Sequence, residues 1–152
     1  MHEEETEALA VTPIDANHCA GSTMFLFQGT FGNILYTGDF RLEEGPEREQ
    51  LRKRLSRAMP ITCLYLDNTF CNPRYGFPSR EEALRTILRE VAAHPCHDIH
   101  ICNGILGKEE ILAAVAEFTG ERVGLLEPQQ LTAAALLGFP EDLFTMDWVS
   151  AR

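Results

Sequence analysis

Three residues of metal-binding type each stand just beyond a short apolar stretch of the sequence: His18, Asp39 and Asp67. Neutral imidazole and carboxylate are good ligands for zinc and similar divalent ions. At strand ends, rigid elements would hold such ligands while the surrounding loops stay open to a substrate. The same residue types also have ordinary roles, since an aspartate in this position often caps a turn and a histidine often makes a loop hydrogen bond. The spacing alone leaves both interpretations open.

Two further segments carry side chains that can do chemistry. Gly104–Lys108 precedes a predicted helix, where backbone N–H groups and the lysine could bind a substrate phosphate or could form an ordinary glycine-rich turn. It is not a P-loop, because the G-x-x-x-x-G-K-[ST] pattern is not met. His94–His100 holds three histidines, a cysteine and an aspartate. Their spacing matches no common zinc motif and favours a loop that ends a helix.

Charge and cysteine content limit the class of protein. The chain has 23 acidic against 13 basic residues and a formal net charge of -10. This balance argues against a free-standing nucleic-acid-binding module, because DNA affinity comes largely from Lys and Arg. It does not exclude a nuclease, whose carboxylate ligands add acidity. Five cysteines without a C-x-x-C pair predict reduced thiols of an intracellular protein, and no apolar run approaches membrane-spanning length.

The first part of the chain has a β-rich pattern. Apolar and β-branched residues alternate between loops that contain glycine, asparagine and aspartate. The predicted strands are Leu9–Ile14, Met24–Gln28, Ile34–Thr37 and Cys63–Leu66. Between the last two, Glu43–Arg57 is charged and predicts a helix, whose Arg52, Lys53 and Arg54 form either a DNA-facing patch or, as we favour, a solvated face.

After residue 70 the pattern alternates between helices and strands, which predicts a layered α/β arrangement with parallel strands. Ser79 and Glu82 form an S-x-x-E capping box at the start of the first helix. Pro128 lies near the start of the last helix and Gly138 follows its end, which are the positions where proline and glycine commonly occur. The predicted order is helix Ser79–Ala93, strand Ile99–Cys102, helix Lys108–Phe118, strand Arg122–Leu126, helix Pro128–Leu137 and strand Leu143–Met146.

Several segments, in order, resemble the Apollo/Artemis family of DNA nucleases, which have a metallo-β-lactamase fold with an inserted β-CASP domain. They are Asp-Ala-Asn-His-Cys-Ala-Gly-Ser at 15–22, Met-Phe-Leu-Phe-Gln-Gly at 24–29, Leu-Tyr-Thr-Gly-Asp-Phe-Arg at 35–41, Leu-Tyr-Leu-Asp-Asn-Thr at 64–69, Phe-Pro-Ser-Arg-Glu-Glu at 77–82 and Leu-Gly-Lys-Glu at 106–109. The resemblance implies a partial metallo-β-lactamase domain at 9–70 and a partial β-CASP domain with alternating strands and helices at 71–152. Residues 1–8 are expected to be a disordered lead-in.

The resemblance also implies roles for individual residues. His18 matches the histidine ligand of metallo-β-lactamase motif three. Asp39 matches the aspartate of motif four, a catalytic residue that can bridge two metals. Asp67 matches the acidic residue of β-CASP motif A, and Lys108 is expected at a substrate phosphate. In this family a zinc-activated water or hydroxide attacks the phosphodiester.

The implied function is that of a nuclear 5′-to-3′ DNA exonuclease of telomere protection and interstrand cross-link repair. Its partners would be DNA and a telomere-binding protein, the latter reached through a tail that these residues do not include. The family's H-x-H-x-D-H string is absent, as is the later β-CASP histidine motif. The chain is therefore expected to be a fragment that is inactive alone and, with an incomplete sheet, prone to associate. A non-catalytic remnant or splice product that only binds protein, and a different metallo-β-lactamase hydrolase acting on RNA, remain as alternatives.

Overall fold

The computed structural model describes residues 8–102, 104 and 106–147. The chain divides into two compact units, Met1–Tyr75 and Gly76–Arg152, called the first and second unit below. The predicted domain boundary at residues 70 and 71 falls slightly before this division. Of the predicted lead-in at 1–8, only Ala8 lies within the described residues. Strands and helices occur in both units, so the predicted α/β class is confirmed.

The first unit contains a four-stranded sheet with the strands in sequence order. The strands are β1 (Ala10–Asp15), β2 (Thr23–Gly29), β3 (Gly32–Tyr36) and β4 (Cys63–Tyr65). β1 and β3 both pair antiparallel with β2, and β4 joins β3 in parallel. The parallel pair needs a crossover, which the helix α1 (Pro46–Ser56) supplies. Pro13 fits in β1 because β1 is an edge strand.

One face of this sheet forms the core of the first unit. The paired residues Ile14 and Met24 are buried there, as are Leu26 and Leu35. Leu51 and Leu55 of α1 pack against this cluster, so the helix covers the face with its apolar positions. The basic residues of α1 are exposed. Three of them form ion pairs with nearby acidic residues: Arg52 and Lys53 with Glu49 of the same helix, and Arg48 with Glu44, which precedes the helix. This arrangement favours the solvated face over a DNA-facing patch.

The second unit is mainly helical. It contains α2 (Arg80–Ala93), α3 (Glu109–Thr119), β5 (Val123–Gly124), α4 (Pro128–Leu136), a 3-10 turn (Glu141–Leu143) and β6 (Phe144–Thr145). The capping box predicted at α2 is present, with Glu82 N–H donating to Ser79 Oγ at 3.1 Å and Ser79 N–H donating to Glu82 Oε2 at 3.0 Å. β5 and β6 pair in parallel, as predicted for this part of the chain. Leu112 and Phe144 lie in the core of this unit.

The predicted strand Ile99–Cys102 is wrong. These residues form no strand, and among the described parts of the second unit the only strand pairing is that of β5 with β6. Ile101 nevertheless packs against the core of the second unit. An apolar residue can be buried from an extended loop, whereas a strand also needs a neighbour for its backbone hydrogen bonds. The sequence pattern therefore indicates that Ile101 packs against the core, but not whether its backbone pairs with another strand.

The helices within the described residues are too short or too polar to cross a lipid bilayer. The longest, α2, has 14 residues and carries charged side chains along its length. A membrane-spanning helix needs about 20 predominantly apolar residues.

Candidate metal-binding site

Three loops that carry the ligand candidates leave the sheet of the first unit at one edge. β1 and β3 run in the same direction because each is antiparallel to β2, and β4 is parallel to β3. Their carboxyl ends therefore meet at the same edge. His18, Asp39 and Asp67 follow these three ends in the sequence. The topology thus brings together segments that the chain separates by more than twenty residues.

The loop that presents His18 is closed by its own polar groups. The Ser22 hydroxyl accepts hydrogen bonds from the backbone N–H groups of His18 and Cys19, both at 3.1 Å. The Asp15 carboxylate accepts from Asn17 N–H at 2.7 Å, and Asn17 adopts a φ of 52°. Asparagine tolerates this left-handed conformation better than most residues. The backbone at His18 is therefore fixed from both sides, while half of the imidazole stays exposed.

The loop that presents Asp39 is tied to the carboxyl ends of β1 and β4. Arg41 N–H donates to the carbonyl of the fully buried Ala16 at 2.9 Å, which holds the loop against the His18 loop. Thr37 N–H donates to Tyr65 O at 3.0 Å and continues the β3–β4 ladder. Gly38 has a φ of 53° and permits the turn that directs Asp39 away from the strand.

His18 and Asp39 are in contact. The distance from His18 Nε2 to Asp39 Oδ2 is 3.8 Å, and both side chains are open to solvent. Two ligands of one tetrahedral zinc lie about 3.3 Å apart when each metal–ligand distance is near 2.0 Å. A small rotation of either exposed side chain would close the gap between this ligand–ligand distance and the observed His18–Asp39 distance. This pair therefore fits two neighbouring ligands of a metal ion.

Asp67 is held in the same network. Its backbone N–H donates to the hydroxyl of the buried Thr37 at 3.1 Å. Its carboxylate Oδ1 accepts from Thr69 Oγ1 at 2.6 Å and from Thr69 N–H at 3.0 Å. These two bonds lower the pKa of the Asp67 carboxyl, and the nearby His18 lowers it further. These contacts favour the ionised form of Asp67, which is the form that binds metal, although one of its oxygens is already engaged.

The three candidates do not form a complete site. Within the described ranges, no group of three or more His, Cys, Asp or Glu side chains is placed to hold a metal ion. The structure brings His18 and Asp39 together and holds Asp67 on an adjoining loop. The donor types fit zinc, but only two of the three candidates, His18 and Asp39, are in contact, whereas ordinary zinc sites use three or four protein ligands.

Lys108 lies in the second unit, before α3. Its Nζ donates to the carbonyl of Gly107 at 3.1 Å, and Gly107 N–H donates to both carboxylate oxygens of the buried Glu109 at 3.0 Å. A carboxylate of the chain itself thus takes the hydrogen bond that an incoming phosphate would need. The other segment weighed from the sequence, His94–His100, has His94 Nδ1 2.8 Å from Glu90 O, which is the helix-ending role expected of it.

Sequence reasoning missed the residues that hold the site in place. Thr37, Ser22 and Thr69 each hydrogen-bond a loop that carries a ligand candidate. One signal was available, since Asp67-Asn-Thr69 has the spacing of an aspartate that accepts from the backbone two residues on. The role of Thr37 depends on the pairing of β3 with β4, which no local pattern reports.

Comparison with known proteins shows extensive similarity to proteins named 5' exonuclease Apollo and Protein artemis. The 5' exonuclease Apollo of Rattus norvegicus is 46% identical over 147 residues, covering 96% of this chain and 26% of that protein. Apollo of Gallus gallus is 43% identical over 148 residues, covering 96% and 31%. Protein artemis of Homo sapiens is 43% identical over 126 residues, covering 78% and 18%. The chain therefore spans less than a third of the length of each of these relatives.

A fold likeness to a solved structure accompanies these matches. A protein of unknown function from Enterococcus faecalis V583 superimposes with a TM-score of 0.65 and 19% identity, covering 90% of this chain and 33% of that one. No protein-family profile matches the chain. At 19% identity the structural likeness concerns the fold alone. The sequence identity to both named relatives, over most of this chain, places it in the Apollo/Artemis family.

Proposed function

We propose that the chain is part of the catalytic region of a metal-dependent DNA nuclease, in which His18, Asp39 and Asp67 are metal ligands. The observation that carries this proposal is the 3.8 Å contact between His18 and Asp39 at a sheet edge where the Asp67 loop is also bound. The names of the relatives supply the activity, since Apollo is called a 5' exonuclease. In the same reading, residues 9–70 belong to a metallo-β-lactamase domain and residues 71–152 to a β-CASP domain.

The metal of this site is proposed to be zinc. Bound there, it would supply Lewis-acid polarisation of a phosphodiester and a water acidic enough to act as nucleophile near neutral pH. The residues present would contribute one imidazole and two carboxylates, a donor set that zinc accepts. Ser22 and Thr69 orient the loops that carry His18 and Asp67, as outer hydrogen bonds commonly do around metal ligands. Lys108 is proposed at a substrate phosphate, after Glu109 releases Gly107 N–H.

These 152 residues alone are proposed to be inactive on DNA. They contain no H-x-H-x-D-H string, the family motif that supplies further ligands. One to three ligands cannot fix two metal ions in a defined geometry. With the missing ligands present, the protein is proposed to be a nuclear 5′-to-3′ exonuclease that acts at telomeres and cross-links, and that meets a telomere-binding protein through another segment.

The test compares the 152-residue chain with a version lengthened to include an H-x-H-x-D-H segment from an Apollo relative. Both are assayed with zinc on 5′-phosphorylated single-stranded DNA and on RNA of the same sequence. We expect cleavage of DNA by the longer protein only, and loss of that cleavage on Asp39→Ala. The matched control is Asp142→Ala, an exposed aspartate of the second unit. Cleavage that survives Asp39→Ala, or that prefers RNA, would overturn the proposal.

A further inference from the structure

We propose that Phe70, Arg74 and Tyr75 form a platform on which bases of a single DNA strand stack beside the candidate metal site. The identification of the strand as DNA rests on the proposed function. The platform itself follows from ring contacts, exposure and position in the first unit. It assigns a binding role to residues that the metal site does not use.

The three side chains are already in contact with one another. The rings of Phe70 and Tyr75 meet edge to face, with centroids 5.5 Å apart. The guanidinium carbon of Arg74 lies 4.7 Å from the centroid of the Tyr75 ring, and Arg74 Nη2 donates to the Tyr75 hydroxyl at 2.6 Å. Aromatic pairs and cation–π contacts of this kind orient the groups before a ligand arrives.

The group is open to solvent in spite of its apolar character. Phe70 is 59% exposed and Tyr75 is 41% exposed. A single exposed aromatic side chain is common on protein surfaces. Two in contact, with an arginine over one of the rings, combine apolar ring surface with a positive charge. Nucleobases and their phosphates match both properties.

Successive turns connect the platform to Asp67. Cys71 N–H donates to Asn68 O at 3.0 Å, and Tyr75 N–H donates to Asn72 O at 2.9 Å. Asn72 Oδ1 also accepts from Arg74 N–H at 3.1 Å. Phe70 follows Asp67 by only three residues, so their Cα atoms are at most about 11 Å apart. A base on Phe70 would therefore lie within a short distance of a phosphate at the metal site.

A single strand fits this platform better than a duplex does. Paired bases are stacked on one another and expose their faces only at duplex ends. A single strand can turn each base onto an aromatic side chain, and every base has a face suited to this contact. The platform is thus expected to bind without strong preference for sequence, while Arg74 neutralises a phosphate.

The experiment measures binding without cleavage, using the 152-residue chain in EDTA. Fluorescence anisotropy is recorded with labelled oligo-dT and with an abasic oligomer of the same length. We expect oligo-dT to bind more tightly, and Phe70→Ala or Tyr75→Ala to weaken its binding about 5- to 20-fold, within the range of base–aromatic stacking. Phe70→Trp should restore affinity, whereas Phe70→Leu, which keeps apolar volume, should not. The control is Phe31→Ala, an aromatic in the β2–β3 turn that is 49% exposed.

The outcomes separate this inference from the proposed function. No binding, equal affinity for oligo-dT and the abasic oligomer, or wild-type affinity in a folded Phe70→Leu variant would overturn the platform. None of these results would affect cleavage by the lengthened protein. Conversely, base-dependent binding that Phe70→Ala abolishes would support the platform even if that protein failed to cleave DNA.

Discussion

The backbone N–H of Asp67 donates a hydrogen bond to the hydroxyl of Thr37 at 3.1 Å. The same hydroxyl donates to Gly38 O at 2.8 Å, one residue before Asp39. Thr37 is 3% exposed, so its hydroxyl joins the two aspartate loops from within the protein. The separation of the two carboxylate-bearing loops thus depends on a side chain that is itself no ligand.

Thr37→Val should loosen this connection while keeping the shape of the side chain. It removes the acceptor of Asp67 N–H and the donor to Gly38 O. We expect a loss of about 1–2 kcal/mol in the free energy of unfolding, the usual cost of an unsatisfied buried group. Urea unfolding measures this change, with Thr12→Val in the exposed edge strand as control. Equal stability of the two variants would show that the hydroxyl does not join the loops.

Gly32→Ala should be strongly destabilising in the β2–β3 turn. Gly32 has a φ of 100°, and an added Cβ would overlap the Thr62 hydroxyl, which accepts from Asn33 N–H at 3.0 Å. We expect a loss of about 3 kcal/mol in unfolding free energy, from strain and overlap together. Gly21→Ala is the control, since its φ is 77° but no atom lies within 4 Å of the new Cβ. A smaller loss for Gly32→Ala than for Gly21→Ala would contradict the packing seen here.

Ser79→Ala should destabilise α2 by removing its N-cap. The expected loss is about 1 kcal/mol in unfolding free energy. Ser56→Ala is the matched control. Ser56 is the last residue of α1, and its hydroxyl donates to Lys53 O instead of capping a helix N-terminus.

The same cap predicts a pH dependence. Hydrogen bonds from Ser79 N–H and then from its hydroxyl lower the pKa of Glu82 in the folded chain. The stabilisation is therefore complete above the pKa of an unfolded glutamate and is lost as the pH falls through the lower, folded value. Glu82→Gln should therefore reduce the loss of thermal stability at acid pH, measured as Tm against pH. If the loss is unchanged in this variant, other carboxyls cause it.

The outer face of the first sheet predicts self-association. Phe25, Tyr36 and Tyr65 lie side by side in register, and each is between 39% and 56% exposed. A contiguous apolar surface of this kind favours contact with a second copy. Phe25→Lys combined with Tyr65→Lys should shift the chain towards monomer in sedimentation velocity, while Leu136→Lys, at an exposed position of α4, should not. A wild-type chain that is already a monodisperse monomer would refute this prediction.

The sequence predicted most elements because their signals are local. The capping box of Ser79 and Glu82, and the alternation along β2, act within a few residues and appear in the structure with small shifts at the ends. The strand at Ile99–Cys102 failed because pairing depends on distant partners. The contact of His18 with Asp39 has the same origin: the residue types are visible, but their meeting depends on β1 and β3 ending at one edge.

Zinc titration followed by NMR tests the metal site most directly. Zinc is added to the chain labelled with ¹⁵N, and the imidazole signals of His18 are followed. We predict that zinc shifts these signals, and that Asp39→Ala weakens the response at least about 10-fold. His94→Ala, in the histidine-rich segment His94–His100, should leave the response of the His18 signals unchanged. If zinc leaves the His18 imidazole unaffected, or shifts it equally with and without the Asp39 carboxylate, the two residues are not ligands of a common metal ion.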